Sequence, residues 1–202
     1  MIGIFNMKNK TVLAIGAHHD DVQIGVGRTM FGHVNNGDQV YIAVTSADEY
    51  RTGCVDVRRA EERDALQKMG IPTNNLFIFY NGDITESTIY TLDQIKADVI
   101  YIMWGDDTHQ AHKHCSTIGQ AVSRNIKNVL YYNSGSALNF IPNSFVLDDS
   151  FEWKYKLLES FESQIECGAI DIESVKIRER YWADMVKEDG YAEGLIVQRG
   201  IL

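Results

Sequence analysis

Along the chain, short runs of nearly continuous apolar residues alternate with longer segments in which apolar positions recur every three or four residues. The runs TVLAI (11–15), QVYIAVTS (39–46), LFIFY (76–80), DVIYIMW (98–104) and NVLYYN (128–133) are rich in β-branched and aromatic side chains, as expected of strands buried on both faces. Helical spacing covers 22–35, 55–69 closed by Gly70 and Pro72, a short 91–97, and 114–126. This β-α-β-α alternation predicts an α/β, doubly wound, mostly parallel sheet of order 3-2-1-4-5, with right-handed crossovers covering both faces. After Asn133 the pattern changes to a loop and short strand, SGSALNFIPNSFVLDD, followed by two charged amphipathic helices near 150–165 and 172–188. The expectation is one domain over 1–202, with a Rossmann-like core over 1–133 and a carboxy-terminal strand and helix elaboration over 134–202. No internal repeat, low-complexity tract or linker marks a boundary.

Composition narrows the function classes. With 202 residues and 45% hydrophobic content, the chain can bury one substantial core but is too short for two full-sized domains. A formal net charge of −9 and the lack of a Lys/Arg block argue against a nucleic-acid partner. No run approaches the roughly 20 apolar residues of a membrane span. The start, MIGIFNMKNKTVLAIG, lacks the charged, apolar and cleavage regions of an export signal, and Met7 before the basic run Lys8-Asn9-Lys10 leaves the first six residues as an alternative start or remnant. Cys54, Cys115 and Cys167 are far apart and odd in number, so they read as free thiols in a reducing cytosol. A cytoplasmic location is expected.

Five of the six histidines fall in two segments, Ala17-His18-His19-Asp20-Asp21 and Asp106-Asp107-Thr108-His109-Gln110-Ala111-His112-Lys113-His114; only His33 lies elsewhere. Each segment follows an apolar run, strands one and four, which the expected order places side by side. Both clusters then belong at the carboxyl edge of the sheet, where open α/β folds bind ligands. Imidazole nitrogen and carboxylate oxygen are common zinc ligands, and a catalytic site usually uses three of them. His18 and Asp21 are three apart, as are His109 and His112, so either pair can face one way; the bland alternative for each cluster is a solvated turn or helix cap. Spacing alone does not choose the ligands. The Gly25-Val26-Gly27 segment is not a dinucleotide fingerprint, because G-x-G-x-x-G would need glycine where Met30 stands. Small residues there instead let the first helix pack closely on the sheet.

These residues resemble the LmbE-like or PIG-L superfamily of N-acetylglucosaminyl deacetylases. The family's AHPDD motif is matched by Ala17-His18-His19-Asp20-Asp21, with His19 in place of proline, and its H-x-D-H motif by His109-Gln110-Ala111-His112. Arg58, Glu61, Ala65, Met69 and Gly70 resemble the family's helix after strand two. Phe140 and Pro142, the Ser163-Gln164 pair and Tyr191-Ala192-Glu193 resemble its carboxy-terminal features. The resemblance implies that His18, Asp21 and His112 hold Zn2+, with room for another divalent metal, that Asp20 is the general base, and that His109 is the electrophilic or acid partner. It places Arg58 near substrate hydroxyls; by itself, Arg58 among Arg59, Glu61, Glu62 and Arg63 also reads as part of a solvated, ion-paired face. His19 and His114 are neighbours rather than ligands.

The implied activity is removal of the N-acetyl group from an N-acetylglucosamine-type small molecule. Hydrolysis of another amide, such as a thiol conjugate or an aminoglycoside precursor, is the alternative, followed by a weakened sugar- or metal-binding homologue. One departure bears on this: Ala111 stands where the family has an acidic residue before the last metal ligand, removing a partner for the catalytic histidine unless Asp106 or Asp107 replaces it. The aromatics Phe140, Phe145, Phe151, Trp153 and Tyr155 are compatible with a homo-oligomer contact, or with ordinary core packing.

Overall fold

A computed structural model describes residues 9–47, 55–80 and 86–200; Cys54 and the amino-terminal segment ending at Lys8 lie outside them. A seven-stranded sheet comprises β1 (Thr11–Gly16), β2 (Gln39–Val44), β3 (Leu76–Ile78), β4 (Val99–Met103), β5 (Asn128–Tyr132), β6 (Ser144–Asp148) and β7 (Tyr191–Arg199), in the order β3-β2-β1-β4-β5-β7-β6. The first five are parallel and follow the expected 3-2-1-4-5 order, with Ala14 of β1 facing Ile42 of β2 on one side and Tyr101 of β4 on the other. Val12 to Ile15 and Val99 to Ile102 are fully buried, which is why both runs read as unbroken apolar stretches.

The helices are α1 (Asp21–Asn35), α2 (Val55–Met69), α3 (Glu86–Asp93), α4 (Gln110–Val122), α5 (Glu152–Leu158), α6 (Glu162–Glu166) and α7 (Ile172–Met185). Three boundaries differ from the sequence expectation. The short helix expected at 91–97 starts at Glu86 and ends before Lys96, whose φ of 51° leaves the helical region. The helix expected at 114–126 starts at Gln110, because His109 caps it through its ring. The single helix expected near 150–165 is two, α5 and α6, separated where Phe161 turns fully into the core with φ −101° and ψ 54°.

Strand β7 was not anticipated. It lies antiparallel between β5 and β6, although Glu193 and Gly194 interrupt its apolar pattern. Both have tertiary reasons to be there. A Cβ on Gly194 would meet the Trp182 ring at 2.9 Å, and Glu193 is buried against Lys154 of α5.

The glycines of α1 allow close packing, as the sequence led us to expect. A Cβ on Gly25 would fall 2.2 Å from the Tyr132 ring, and one on Gly27 would fall 2.6 Å from Leu157. Val26 between them is non-helical (φ −142°, ψ 22°), so α1 is kinked, and its second half has donors that the broken ladder cannot satisfy. Glu193 accepts from Arg28 N and Thr29 N, both at 2.7 Å, and from Thr29 Oγ1 at 2.6 Å. The aromatics of the carboxy-terminal part mostly serve the protein's own interior: Phe151 is buried, Phe140, Phe145 and Trp153 pack against the cores, and Tyr155 is exposed.

Candidate active site

The two histidine segments meet where β1 and β4 end side by side. His18, Asp20, Asp21, Arg58, His109 and His112 all line one cavity of about 450 Å³, whose other walls come from the loop after β5 and from α6 and α7. All six expected site residues are thus brought together.

The first loop is held tightly. Asp21 Oδ2 accepts from Ala17 N at 3.0 Å and His18 N at 2.7 Å, so the first carboxylate of α1 closes the turn before it. Asp20, just ahead of α1, adopts φ 139° and ψ −30°, a region that a residue with a Cβ rarely occupies. Such strain persists only where surrounding contacts over-determine it, and it concentrates at functional sites. Arg58 of α2 supplies one of those contacts: its Nη2 donates to His19 O and to Asp20 Oδ2, each at 3.2 Å. Arg58 is therefore not part of a solvated face; it is 4% exposed and committed to the Asp20 loop.

Three acceptors converge beside this loop. His18 Nδ1 lies 3.3 Å from His112 Nε2 and 3.4 Å from Asp21 Oδ2, and His112 Nε2 lies 3.4 Å from Asp21 Oδ1. Metal–ligand bonds of about 2.0–2.1 Å in a tetrahedron give ligand–ligand edges of roughly 3.3–3.4 Å, so these donors fit a zinc-sized cation. His109 forms a second grouping with His18 and His112, whose ligand atoms all fall within 4.8 Å of one another. Asp21 is the other candidate third ligand, with Oδ2 3.4 Å from His18 Nδ1 and Oδ1 3.4 Å from His112 Nε2, and its carboxylate stays ionised. Burial would raise its pKa, but the charge of His112 and the hydrogen bonds of His18 hold it well below the usual range.

His112 is oriented from behind. Asp107 Oδ2 is 3.1 Å from His112 Nδ1, while Asp107 Oδ1 accepts from Ser136 Oγ and His109 N, both at 2.7 Å. This carboxylate–histidine arrangement fixes the ring and directs Nε2 toward the site. Asp107 keeps its charge, since the hydrogen bonds from His112, His109 and Ser136 overcome the effect of burial and lower its pKa. Asp106 instead accepts from Asn139 at 2.9 Å.

The acidic partner anticipated for His109 is thus spent on its neighbour. His109 Nδ1 accepts from Ala111 N at 3.2 Å, which places the ring proton on Nε2. The ring stacks on His112 at 4.7 Å and meets His18 edge-on at 4.9 Å. His114 points elsewhere, to Gln110 at 3.0 Å on an exposed face. His19, in the motif's proline position, is fully buried with Nδ1 3.8 Å from Glu62. Glu62 also accepts from Gln23 at 2.8 Å, tying the loop to α2.

Two adjacent carboxylates therefore have opposite electrostatics. Burial and the neighbouring charge of Asp21 push Asp20 up to about 7, against the lowering influence of Arg58 and His18. A carboxyl poised near neutrality beside an ionised one gives two neighbouring groups different chemical capacities.

The family model described as PIG-L, GlcNAc-PI de-N-acetylase, matches residues 13–123. The chain belongs to this family. The match spans both histidine segments and Arg58. The chain is 29% identical over 174 residues to the uncharacterized deacetylase YaiS of Escherichia coli (strain K12), covering 77% of this chain and 92% of that protein. Among solved structures, the N,N'-diacetylchitobiose deacetylase of Pyrococcus horikoshii superposes with a TM-score of 0.76 at 15% identity, over 95% of this chain and 84% of the other. GalB, the 4-carboxy-2-hydroxymuconate hydratase of Pseudomonas putida KT2440, superposes with a TM-score of 0.75 at 16% identity, over 96% and 98%. At such identities these structures establish the shared fold. Ser163, outside the family match on the carboxy-terminal elaboration, donates from N and Oγ to Glu61 of α2 at 2.7 and 2.8 Å, so two features singled out separately in the sequence meet in space.

Asp107, Ser136 and Arg178 are the site residues that sequence reasoning left unassigned or open. Asp107 was weighed as a partner for His109 and serves His112. Nothing in the sequence near Ser136 or Arg178 signals the cavity, because they reach it from the loop after β5 and from α7. Among the described residues, no helix is long and apolar enough to cross a membrane.

Proposed function

We propose that this PIG-L family member is a zinc-dependent hydrolase that removes the N-acetyl group from an N-acetylglucosamine-type sugar or conjugate. The observation that carries the reading is the triad of His18 Nδ1, Asp21 and His112 Nε2 at 3.3–3.4 Å edges, with Asp20 beside it in the same cavity. One domain over 1–202 fits the single sheet to which both halves of the chain contribute strands.

His18, Asp21 and His112 would hold the ion, and zinc there would supply Lewis acidity and bring the pKa of water toward about 7. The protein's own groups do the rest. Asp20 takes a proton from the attacking water as its oxygen bonds to the acyl carbon. His109 Nε2–H donates to the oxygen on which negative charge develops, as a neutral imidazole whose other nitrogen is engaged by Ala111 N. Arg58 keeps the Asp20 carboxylate aimed and favours its charged form. When the C–N bond breaks, Asp20 returns its proton to the departing amine, leaving acetate and a free amino sugar.

Release of free amine from N-acetylglucosamine, diacetylchitobiose, a nucleotide-linked N-acetylglucosamine and an inositol glycoside of it, with and without chelator, tests this reading. Chelator-sensitive release from at least one compound is expected. Stoichiometric zinc with no release from any of them would overturn the sugar assignment and favour another amide.

A further inference from the structure

Arg178 of α7 reaches the same cavity from the wall formed by the carboxy-terminal elaboration. Its guanidinium carbon lies 5.4 Å from the Trp182 ring centroid, so the indole covers one face. Its Nε and Nη2 are screened from solvent and make no hydrogen bond. Arg178 as a whole is half-buried, and Nη1, which is not screened, is the nitrogen left open to the cavity, where an anion would meet a charged donor. Burial lowers its pKa against the pull of Glu179 and Glu193, but those carboxylates are committed to Lys154.

The surroundings keep this guanidinium available. Gly135, with φ +136°, lines the cavity beside it, and a Cβ there would stand 3.4 Å from Arg178 Nη1. Next to it, Ser134 Oγ is buried in the same wall and makes no hydrogen bond. The cavity's nearest acidic candidate on this wall, Asp171, is occupied: it caps α7 by accepting from Glu173 N, Ser174 N and Ser174 Oγ. Seven residues of helix separate it from Arg178, about 10 Å at the usual rise.

We propose that Arg178, with Ser134, is an anion subsite, so that the compound acted on carries a phosphate or carboxylate in addition to its N-acyl group. The inference deepens the deacetylase reading and rests on it for the identity of the reacting bond. A guanidinium N–H donor makes a charge-assisted hydrogen bond to either anion. Arg178 here positions substrate, whereas Arg58 is engaged by Asp20.

Three anionic probes carry charge at different points of one sugar: N-acetylglucosamine 1-phosphate, N-acetylglucosamine 6-phosphate and N-acetylmuramic acid. Their binding to the zinc-loaded protein is compared with that of neutral N-acetylglucosamine by calorimetry, and acetate release is followed in parallel. At least one anionic probe binds about tenfold or more tightly than the neutral sugar, as a charge-assisted hydrogen bond predicts, and whether phosphate or carboxylate is preferred identifies the anion. The preference collapses in Arg178→Gln and is largely retained in Arg178→Lys, with unfolding midpoints confirming that both variants are folded. Equal binding of neutral and anionic sugars, no binding of any anionic probe, or an unchanged preference in Arg178→Gln would overturn the inference. An anion preference without acetate release would sink the deacetylase reading and leave the subsite standing; release without preference would do the reverse.

Discussion

Two clusters of buried charge meet α1, one at its first residues and one at its kink, and they are built on opposite principles. At the kink, Lys154 is paired with Glu179 at 3.0 Å and more closely with Glu193, and Glu193 also satisfies the freed donors of Arg28 and Thr29. Lys154 there faces two carboxylates, of which Glu179 is raised toward neutrality, so the charges offset one another within the protein. At the first residues, three lone-pair donors from His18, Asp21 and His112 point at one spot, and Asp20 is held in a strained backbone with its carboxyl raised to about 7. The kink cluster holds the helix with groups the protein itself supplies; the other is the one that the proposed cation would complete. Completeness distinguishes structural buried charge from functional buried charge more clearly than burial does, since Lys154, Glu193, Asp21 and Asp20 are all less than a tenth exposed.

Substitutions sharpen that contrast. The largest effect is expected in Asp20→Asn, where turnover should fall by about 10²–10⁴-fold while zinc stays stoichiometric by elemental analysis; undiminished turnover would remove Asp20 as the base. Glu193→Ala should cost stability instead, about 3–5 kcal/mol in urea unfolding, because it strips Lys154 of its closest partner. A loss of well under 1 kcal/mol would mean that the kink cluster is dispensable. Asp107→Asn should weaken zinc affinity by about 10–100-fold in a competitive chelator titration, with little change in the unfolding midpoint of the metal-free protein.

The smallest effect concerns pH. Burial, chiefly, and then Glu193 raise Glu179 to about 7, despite Lys154 and Arg178. An unfolded glutamate titrates near 4.5, so the folded protein holds a proton that the unfolded chain has lost between those two values. The contribution of this group to stability is therefore present below about 4.5 and declines as pH rises toward about 7. Glu179→Gln should remove the decline, so its stability relative to the parent should grow with pH across that window and level off above it. A difference that does not vary with pH would show that Glu179 is ionised throughout, balanced by Lys154 alone.

The sequence determined the parallel core and the location of the site. β1 and β4 are buried on both faces, so their residues had to be apolar without interruption, and that run is visible without neighbours. The side-by-side placement of β1 and β4 follows from the 3-2-1-4-5 order of the doubly wound class, and the two histidine segments follow those strands directly. Other features depended on contacts between distant parts of the chain. β7 was hidden because Glu193 and Gly194 break its pattern, and only Lys154 and Trp182, far away in sequence, make them acceptable there. Asp107 serves His112 rather than His109 because the loop after β5 brings Ser136 against it. Arg58 reads as one charge on a polar helix until the fold buries it against Asp20, and Arg178 becomes part of the cavity only when α7 closes its wall. Local periodicity records which face of an element is buried; which buried polar groups find partners is decided by the packing of elements distant in sequence.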